Sequence, residues 1–128
     1  MKNKKFSIIE RINSFKYAFN GLKILFQEEH NSRVHLFSTI VVIILGFILK
    51  ISFNEWFALI LSCGFVFVTE ILNSSIENIA DFISPQRNDH IKKVKDLSAA
   101  AVLISAIAAL IIGLLIFSPK IYQLCIND

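Results

Sequence analysis

Residues 97–117, LSAAAVLISAIAALIIGLLIF, carry no charged side chain. About 20 apolar residues in a row are what a helix needs to cross the hydrocarbon core of a bilayer. Two further stretches share this character. Residues 34–49, VHLFSTIVVIILGFIL, contain no Asp, Glu, Lys or Arg, and residues 56–69, WFALILSCGFVFVT, are uncharged. In lipid every backbone N–H and C=O must find its partner within the protein, which makes helices the natural spanning element. The sequence therefore predicts an all-α integral membrane protein. Its transmembrane helices fall near 34–52, 55–80 and 97–117, with a loop at 82–96. With 128 residues, 55% of them hydrophobic, one membrane domain over 1–128 is the default.

Residues 6–33 follow a different pattern. Ile8, Ile12, Phe15, Phe19, Leu22 and Phe26 recur at steps of four and three, on one helix face. Arg11, Lys16, Asn20, Lys23 and Gln27 fall largely off that stripe. Such a basic amphipathic helix suits the membrane surface. The first 30 residues have no compact apolar core and no small-residue cleavage site of a secretory signal.

Lys and Arg set the orientation. Lys2, Lys4, Lys5, Arg11, Lys16, Lys23 and Arg33 precede the first span, and Arg87, Lys92, Lys93 and Lys95 lie in the 82–96 loop. The opposite side has only Lys50 and Lys120. This asymmetry predicts a multi-pass membrane protein with a cytoplasmic N-terminus and loop and an external C-terminus. The net charge of +3 reflects that bias; no nucleic-acid-binding motif is present, and nucleic acid is excluded as a partner. Cys63 and Cys125 have no metal or redox spacing.

Against this background EILNSSIENIAD, residues 70–81, stands out. At 100° per residue from Glu70, Asn73 falls at about −60°, Ser74 at about +40°, Glu77 at about −20° and Asp81 at about +20°. The polar groups thus share one stripe. A charge in the membrane costs about 2.5–3.5 kcal/mol on insertion scales, so the stripe must face a protein interior or a wet cavity. If Asp81 sits at the interface, Glu77 lies about 6 Å deeper and Glu70 about 16 Å deeper. Glu77 is then shallow enough to share a cation with Glu28 or Glu29. Glu70 is expected beside lipid, where a carboxylate can take the proton of a lipid hydroxyl.

Two further clusters border the spans. EEHNSRVH, residues 28–35, crowds the entrance to the first, and HIKKVKD, residues 90–96, precedes the third. Lys95 beside Asp96 is placed to meet phosphates, whereas Lys93 suits simple anchoring. Ser98, Ala99, Ala100 and Ala101 would let a neighbouring helix approach closely. Carboxylates for a divalent ion, a lysine for phosphate and a deep carboxylate together point to phosphoryl transfer. No GxxxxGK[ST] loop is present, so a nucleotide site would be built from helix-borne charges. A small ion-transport subunit would explain Glu70 but leave Lys95, Asp96 and the amphipathic arm without roles. A non-catalytic assembly protein would not explain the acidic stripe.

These residues resemble the signature of the small bacterial diacylglycerol kinase and undecaprenol kinase family: Glu70, Asn73, Ser74, Ser75, Ile76, Glu77 and Asp81 in order. The Lys95–Asp96 pair with Ala99 to Leu103, and NGLK followed by Glu29, are similar to two further landmarks, so the likeness runs from about Arg11 to Phe117. The resemblance implies a surface helix plus three spans per subunit, assembled as a homotrimer, with ATP- and Mg2+-dependent phosphorylation of a membrane lipid. It implies Glu29 and Glu77 as metal ligands on the ATP phosphates and Glu70 as base on the lipid hydroxyl. Asn73 and Ser74 would orient the site. Lys95 and Asp96 would contact nucleotide, with Arg11 and Lys92 as further nucleotide-binding positions. Spacing from Gly21 favours Glu29 over Glu28. The arm is more similar to the undecaprenol kinase branch, with diacylglycerol as the alternative acceptor.

Overall fold

The structure, a computed structural model, describes residues 7–127 as α1 (Ile8–Glu28), α2 (His30–Ile48), α3 (Phe53–Ile83) and α4 (Asp89–Asn127). Lys2, Lys4, Lys5 and the expected start of the first helix at residue 6 lie outside the described residues.

α1 starts where the Ser7 hydroxyl accepts from the Glu10 amide at 3.3 Å, a side-chain N-cap that satisfies one orphan donor. It ends at Glu28. Glu29 is extended, with φ −104 and ψ 108, and α2 begins at His30. Arg33 closes this joint from the first turn of α2. Its Nε donates to the Phe26 carbonyl at 2.6 Å and its Nη2 to the Gln27 carbonyl at 2.5 Å. Those carbonyls have no partner inside α1. The expected 6–33 helix is thus interrupted, and Arg33 belongs to the first span.

Only the end of α1 packs. Leu25 is buried, and the Phe26 ring meets Phe67 of α3 edge-on at 6.0 Å. Ile8, Ile12, Phe15 and Phe19 are exposed. The expected stripe therefore splits into a docked end and an open apolar face of the kind a surface helix lays on lipid.

The turn between α2 and α3 has two close tolerances. The Ile51 amide donates to the Gly46 carbonyl at 3.1 Å, and Lys50 has φ 50. This is a Schellman ending with a lysine where glycine is usual. The left-handed conformation costs a non-glycine residue roughly 1–2 kcal/mol. Lys50→Gly is therefore expected to raise the thermal midpoint in detergent, with a gain of about 1 kcal/mol. An unchanged or lower midpoint would show that the lysine is not strained there.

Gly46 itself lies under the indole. A Cβ there would sit 2.7 Å from Trp56 Cη2, 3.0 Å from Cζ2 and 3.2 Å from Ile51 Cδ1. Gly46→Ala is expected to destabilise by about 1–3 kcal/mol, the usual cost of overpacking. Trp56 is the sole tryptophan, so its fluorescence should shift along with the melting temperature. An unshifted spectrum with unchanged stability would contradict the clash.

α3 starts with a capping box between Ser52 and Glu55, and α4 with Asn88 Oδ1 accepting from the His90 and Ile91 amides at 2.9 and 3.2 Å. The connection between them is 84–88 rather than 82–96, so Lys92, Lys95 and Asp96 lie on the first turns of α4. α2, α3 and α4 have 19, 31 and 39 residues, or roughly 28, 46 and 58 Å. All three are long and apolar enough to cross a membrane. α3 and α4 exceed the hydrocarbon thickness, and α4 continues past 117 through Pro119. There Lys120 Nζ meets Glu55 Oε1 at 2.9 Å.

The buried core, Ile51, Leu59, Ile116 and Phe117, gathers at this end of the bundle. α3 packs chiefly on α4. The buried Thr69 and Ser105 hydroxyls meet at 2.8 Å across that seam. Of the small-residue run, Ser98 is buried on α3, whereas Ala99, Ala100 and Ala101 are exposed. α2 packs less closely. A cleft of about 470 Å³ therefore opens with walls from α2 and α4 and a floor from α3.

Candidate active site

The polar stripe of α3 faces inward. Glu70 and Ser74 are buried, Asn73 and Glu77 half-buried, and Asp81 exposed. The 3.6-residue period alone places these side chains in one column. α2 and α4 then supply a partner at almost every level.

At the exposed end, Lys95 Nζ donates to Asp81 Oδ1 at 2.6 Å, tying α4 to α3. Asp96 does not join it. Asp96 Oδ2 accepts from Lys92 Nζ at 2.6 Å along the surface of α4. The expected Lys95–Asp96 unit is thus two separate ion pairs. Glu77 lies close enough to Lys95 for their charges to interact.

One turn further in, Ser74 Oγ donates to Glu29 Oε1 at 3.3 Å. Glu29 turns inward because the chain is extended at that residue, while Glu28, still helical, is exposed. The break in the helix thus separates the two adjacent acids. Beside it, Ser98 Oγ donates to Asn73 Oδ1 at 2.5 Å, which leaves the Asn73 amide nitrogen to donate elsewhere.

Glu70 lies deepest and is 3% exposed. It is covered by its own chain rather than standing beside lipid. Ser32 Oγ donates to Glu70 Oε2, and His35 Nε2 lies 3.1 Å from Oε1. The two atoms are in contact without hydrogen-bond alignment, and Oε1 has no hydrogen-bond partner among the described residues. Ser32 is itself fully buried. His35 also lines one end of the apolar cleft with Ser38, Thr39 and Val66. His35 is therefore the link between the buried carboxylate and the apolar cavity.

Arg11 stays apart. It is exposed near the start of α1, and 18 residues of sequence separate it from Glu29, roughly 27 Å if helical throughout. Among the described residues no three His, Cys, Asp or Glu side chains converge as a metal cage. Glu29 and Glu77 are two half-buried carboxylates flanking the level of Ser74. That donor set fits Mg2+, which is commonly held by one or two carboxylates together with phosphate and water.

Two contacts were missing from the sequence reading: Ser32 and His35 on Glu70. Their spacing of three residues puts both on one face of α2, which was the available signal.

The family described as prokaryotic diacylglycerol kinase matches residues 16–117. The chain is 37% identical over 108 residues to the undecaprenol kinase of Bacillus subtilis, covering 84% of this chain and 88% of that one. It is 32% identical over 114 residues to a diacylglycerol kinase of Synechocystis, covering 88% of this chain and 65% of the relative. A Helicobacter pylori diacylglycerol kinase is 38% identical over 91 residues, 71% of each chain. With three apolar helices and a buried polar column that the match encloses, the chain belongs to the prokaryotic diacylglycerol kinase family and is a membrane lipid kinase.

Proposed function

We propose that this lipid kinase transfers the terminal phosphoryl group of ATP, with Mg2+, to the hydroxyl of undecaprenol, with Glu70 as the base. The observation that carries this is the position of Glu70. It is a buried carboxylate with one oxygen lacking a hydrogen bond among the described residues, next to one end of an apolar cleft and below Glu29 and Glu77.

An apolar chain in the cleft would bring its terminal hydroxyl to the His35 end, beside Glu70 Oε1. Glu70 takes the hydroxyl proton as that oxygen attacks phosphorus and the terminal phosphoanhydride bond breaks. Ser32 holds Oε2, so Oε1 is the oxygen presented for proton transfer. Glu29 and Glu77 would hold the metal, which when bound neutralises charge on the phosphates. Asn73, fixed through its carbonyl oxygen by Ser98, directs its amide N–H groups at the reacting groups, and Ser74 keeps Glu29 in place. Lys95 lies close enough to Glu77 for their charges to interact, and Lys92 and Asp96 flank it on the same helix.

Within one chain Asp96 turns to Lys92 on the exposed surface of α4, and Arg11 lies toward the far end of α1 from Glu29. Exposed Ala99, Ala100 and Ala101 leave α4 open to another helix. Both features favour a homotrimer with nucleotide contacts completed between subunits. The excess of Lys and Arg at the Glu29 end favours a cytoplasmic site in the inner membrane, with the C-terminus outside.

Undecaprenol is favoured by the likeness to the Bacillus subtilis enzyme over 84% of the chain. Diacylglycerol is the second acceptor, favoured by the Synechocystis and Helicobacter relatives. Labelled ATP with Mg2+ and the two lipids in competing mixed micelles decides between them. Labelled undecaprenyl phosphate as the main product is expected. Preferential phosphatidic acid would replace the first acceptor by the second, and label in neither lipid would remove both.

A further inference from the structure

We propose that His35 is a positioning residue that acts through Glu70, accepting the proton Glu70 has taken from the lipid and passing it to water. This rests on Glu70 being the base. Each transfer leaves a proton on a carboxylate that is 3% exposed, and the base must lose that proton before it can act again. Ser32 occupies Oε2 and donates its own proton there, so it offers no exit. Among the described residues, the one titratable side chain at contact distance from Oε1 is the His35 imidazole at 3.1 Å.

Among the described residues the neighbours leave no competing acceptor. On α3, Thr69 beside Glu70 is engaged with Ser105 at 2.8 Å, and Glu77 lies two turns away on the same stripe. α4 carries no charge between Asp96 and Lys120, which includes the stretch from Ser98 to Ser105 that packs on this part of α3. From the α1–α2 joint, Glu29 is engaged one turn away by Ser74. Cys63 lines the same cleft and lies two turns before Glu70 on α3. His35, by contrast, has a side chain 28% exposed while its Nε2 touches the buried oxygen. Its ring thus reaches from the buried oxygen into the open cleft, the side on which the proton leaves.

The proton balance closes with these groups alone. The lipid O–H bond breaks as Oε1 gains the proton, and the new O–P bond forms as the phosphoanhydride bond breaks. The proton then moves from Oε1 to Nε2 of an imidazole carrying its hydrogen on Nδ1. This restores the carboxylate and leaves an imidazolium. The imidazolium gives the proton to water at its exposed edge. Misalignment of the ring in the resting structure requires only a turn about the side-chain torsion.

The test is lipid phosphorylation by His35→Gln and His35→Ala in detergent micelles, beside Glu70→Gln. Glutamine retains a polar amide but cannot take the proton. His35→Gln is expected to lose at least 10-fold in kcat with KM for ATP unchanged. His35→Ala is expected to regain rate with added imidazole but not with pyrrole, a ring of the same size without a basic nitrogen. A structural role for His35 would make both rings equivalent and would let glutamine substitute. His35→Gln at near-wild-type kcat, or equal rescue by both rings, overturns the proposal. If His35→Ala does not fold, the kcat and KM of His35→Gln decide. An inert Glu70→Gln beside a normal His35→Gln removes His35 alone, whereas an active Glu70→Gln removes the base on which it rests.

Discussion

Glu70→Gln should bind ATP normally and transfer almost nothing. The amide keeps the size and much of the polarity of the side chain but cannot accept the lipid proton. General-base catalysis is worth about 100- to 10,000-fold, which sets the scale of the loss in kcat. Stability should rise or change little, because the substitution removes a buried charge whose close partners among the described residues are a hydroxyl and an imidazole. Removing an uncompensated buried charge relieves a desolvation cost. The combination separates catalysis from folding: a variant with full helical content, an unchanged or higher melting temperature, ATP binding intact and no labelled lipid. Transfer at the wild-type rate would show that another group takes the proton. Loss of folding together with loss of transfer would show that the charge at Glu70 holds the bundle together.

That the stripe faces inward was legible before any coordinates. Glu70, Asn73, Ser74 and Glu77 repeat at helical spacing in a segment where a lipid-facing charge is costly, and geometry leaves them one direction. The spans were legible for the same reason, since apolar length is a direct consequence of bilayer thickness. The break at Glu29 was not. EEHNSR contains neither Gly nor Pro, and the two helices are separated by a contact of higher order, Arg33 on the Phe26 and Gln27 carbonyls. Lys95 and Asp96 read as a unit in sequence because chain neighbours look adjacent in a loop. Once α4 extends back to Asp89, they point about 100° apart. Asp96 then meets Lys92 four residues away, as helical charge pairs do, and Lys95 crosses to Asp81. The charges of 89–96 mimic a loop in sequence but lie on α4. Asn88, which caps α4, was the better marker. Glu70 was placed beside lipid on depth alone. What covers it is Ser32 and His35, and no count along a single helix could supply a contact between two helices.

The second large effect concerns the two half-buried acids, and their unequal setting gives it an internal control. Glu77→Gln should lose at least about 100-fold in turnover, on the scale of charge stabilisation at a transferring phosphoryl group. Because magnesium is commonly held by only one or two protein carboxylates, removing either should also raise the magnesium concentration needed for half-maximal rate. Glu29→Gln should behave alike. Groups that act as a unit are not additive, so the double variant should be little worse than Glu77→Gln alone. Glu28→Gln changes an exposed neighbour of Glu29 and should stay within about twofold of the wild type, as surface positions usually do. The measurement is lipid phosphorylation across a magnesium titration for the four variants. A Glu28→Gln defect as large as that of Glu29→Gln would move the ligand to the neighbouring acid and contradict the inward turn at Glu29. Near-normal activity of Glu77→Gln at saturating magnesium would take Glu77 out of the metal site, leaving it with its charge interaction with Lys95. Equal losses in Glu29→Gln and Glu77→Gln, shared in the double variant and absent from Glu28→Gln, would tie the one-residue break after α1 to the chemistry. The extended backbone at Glu29 would then be what carries a carboxylate from the membrane surface onto the stripe of α3.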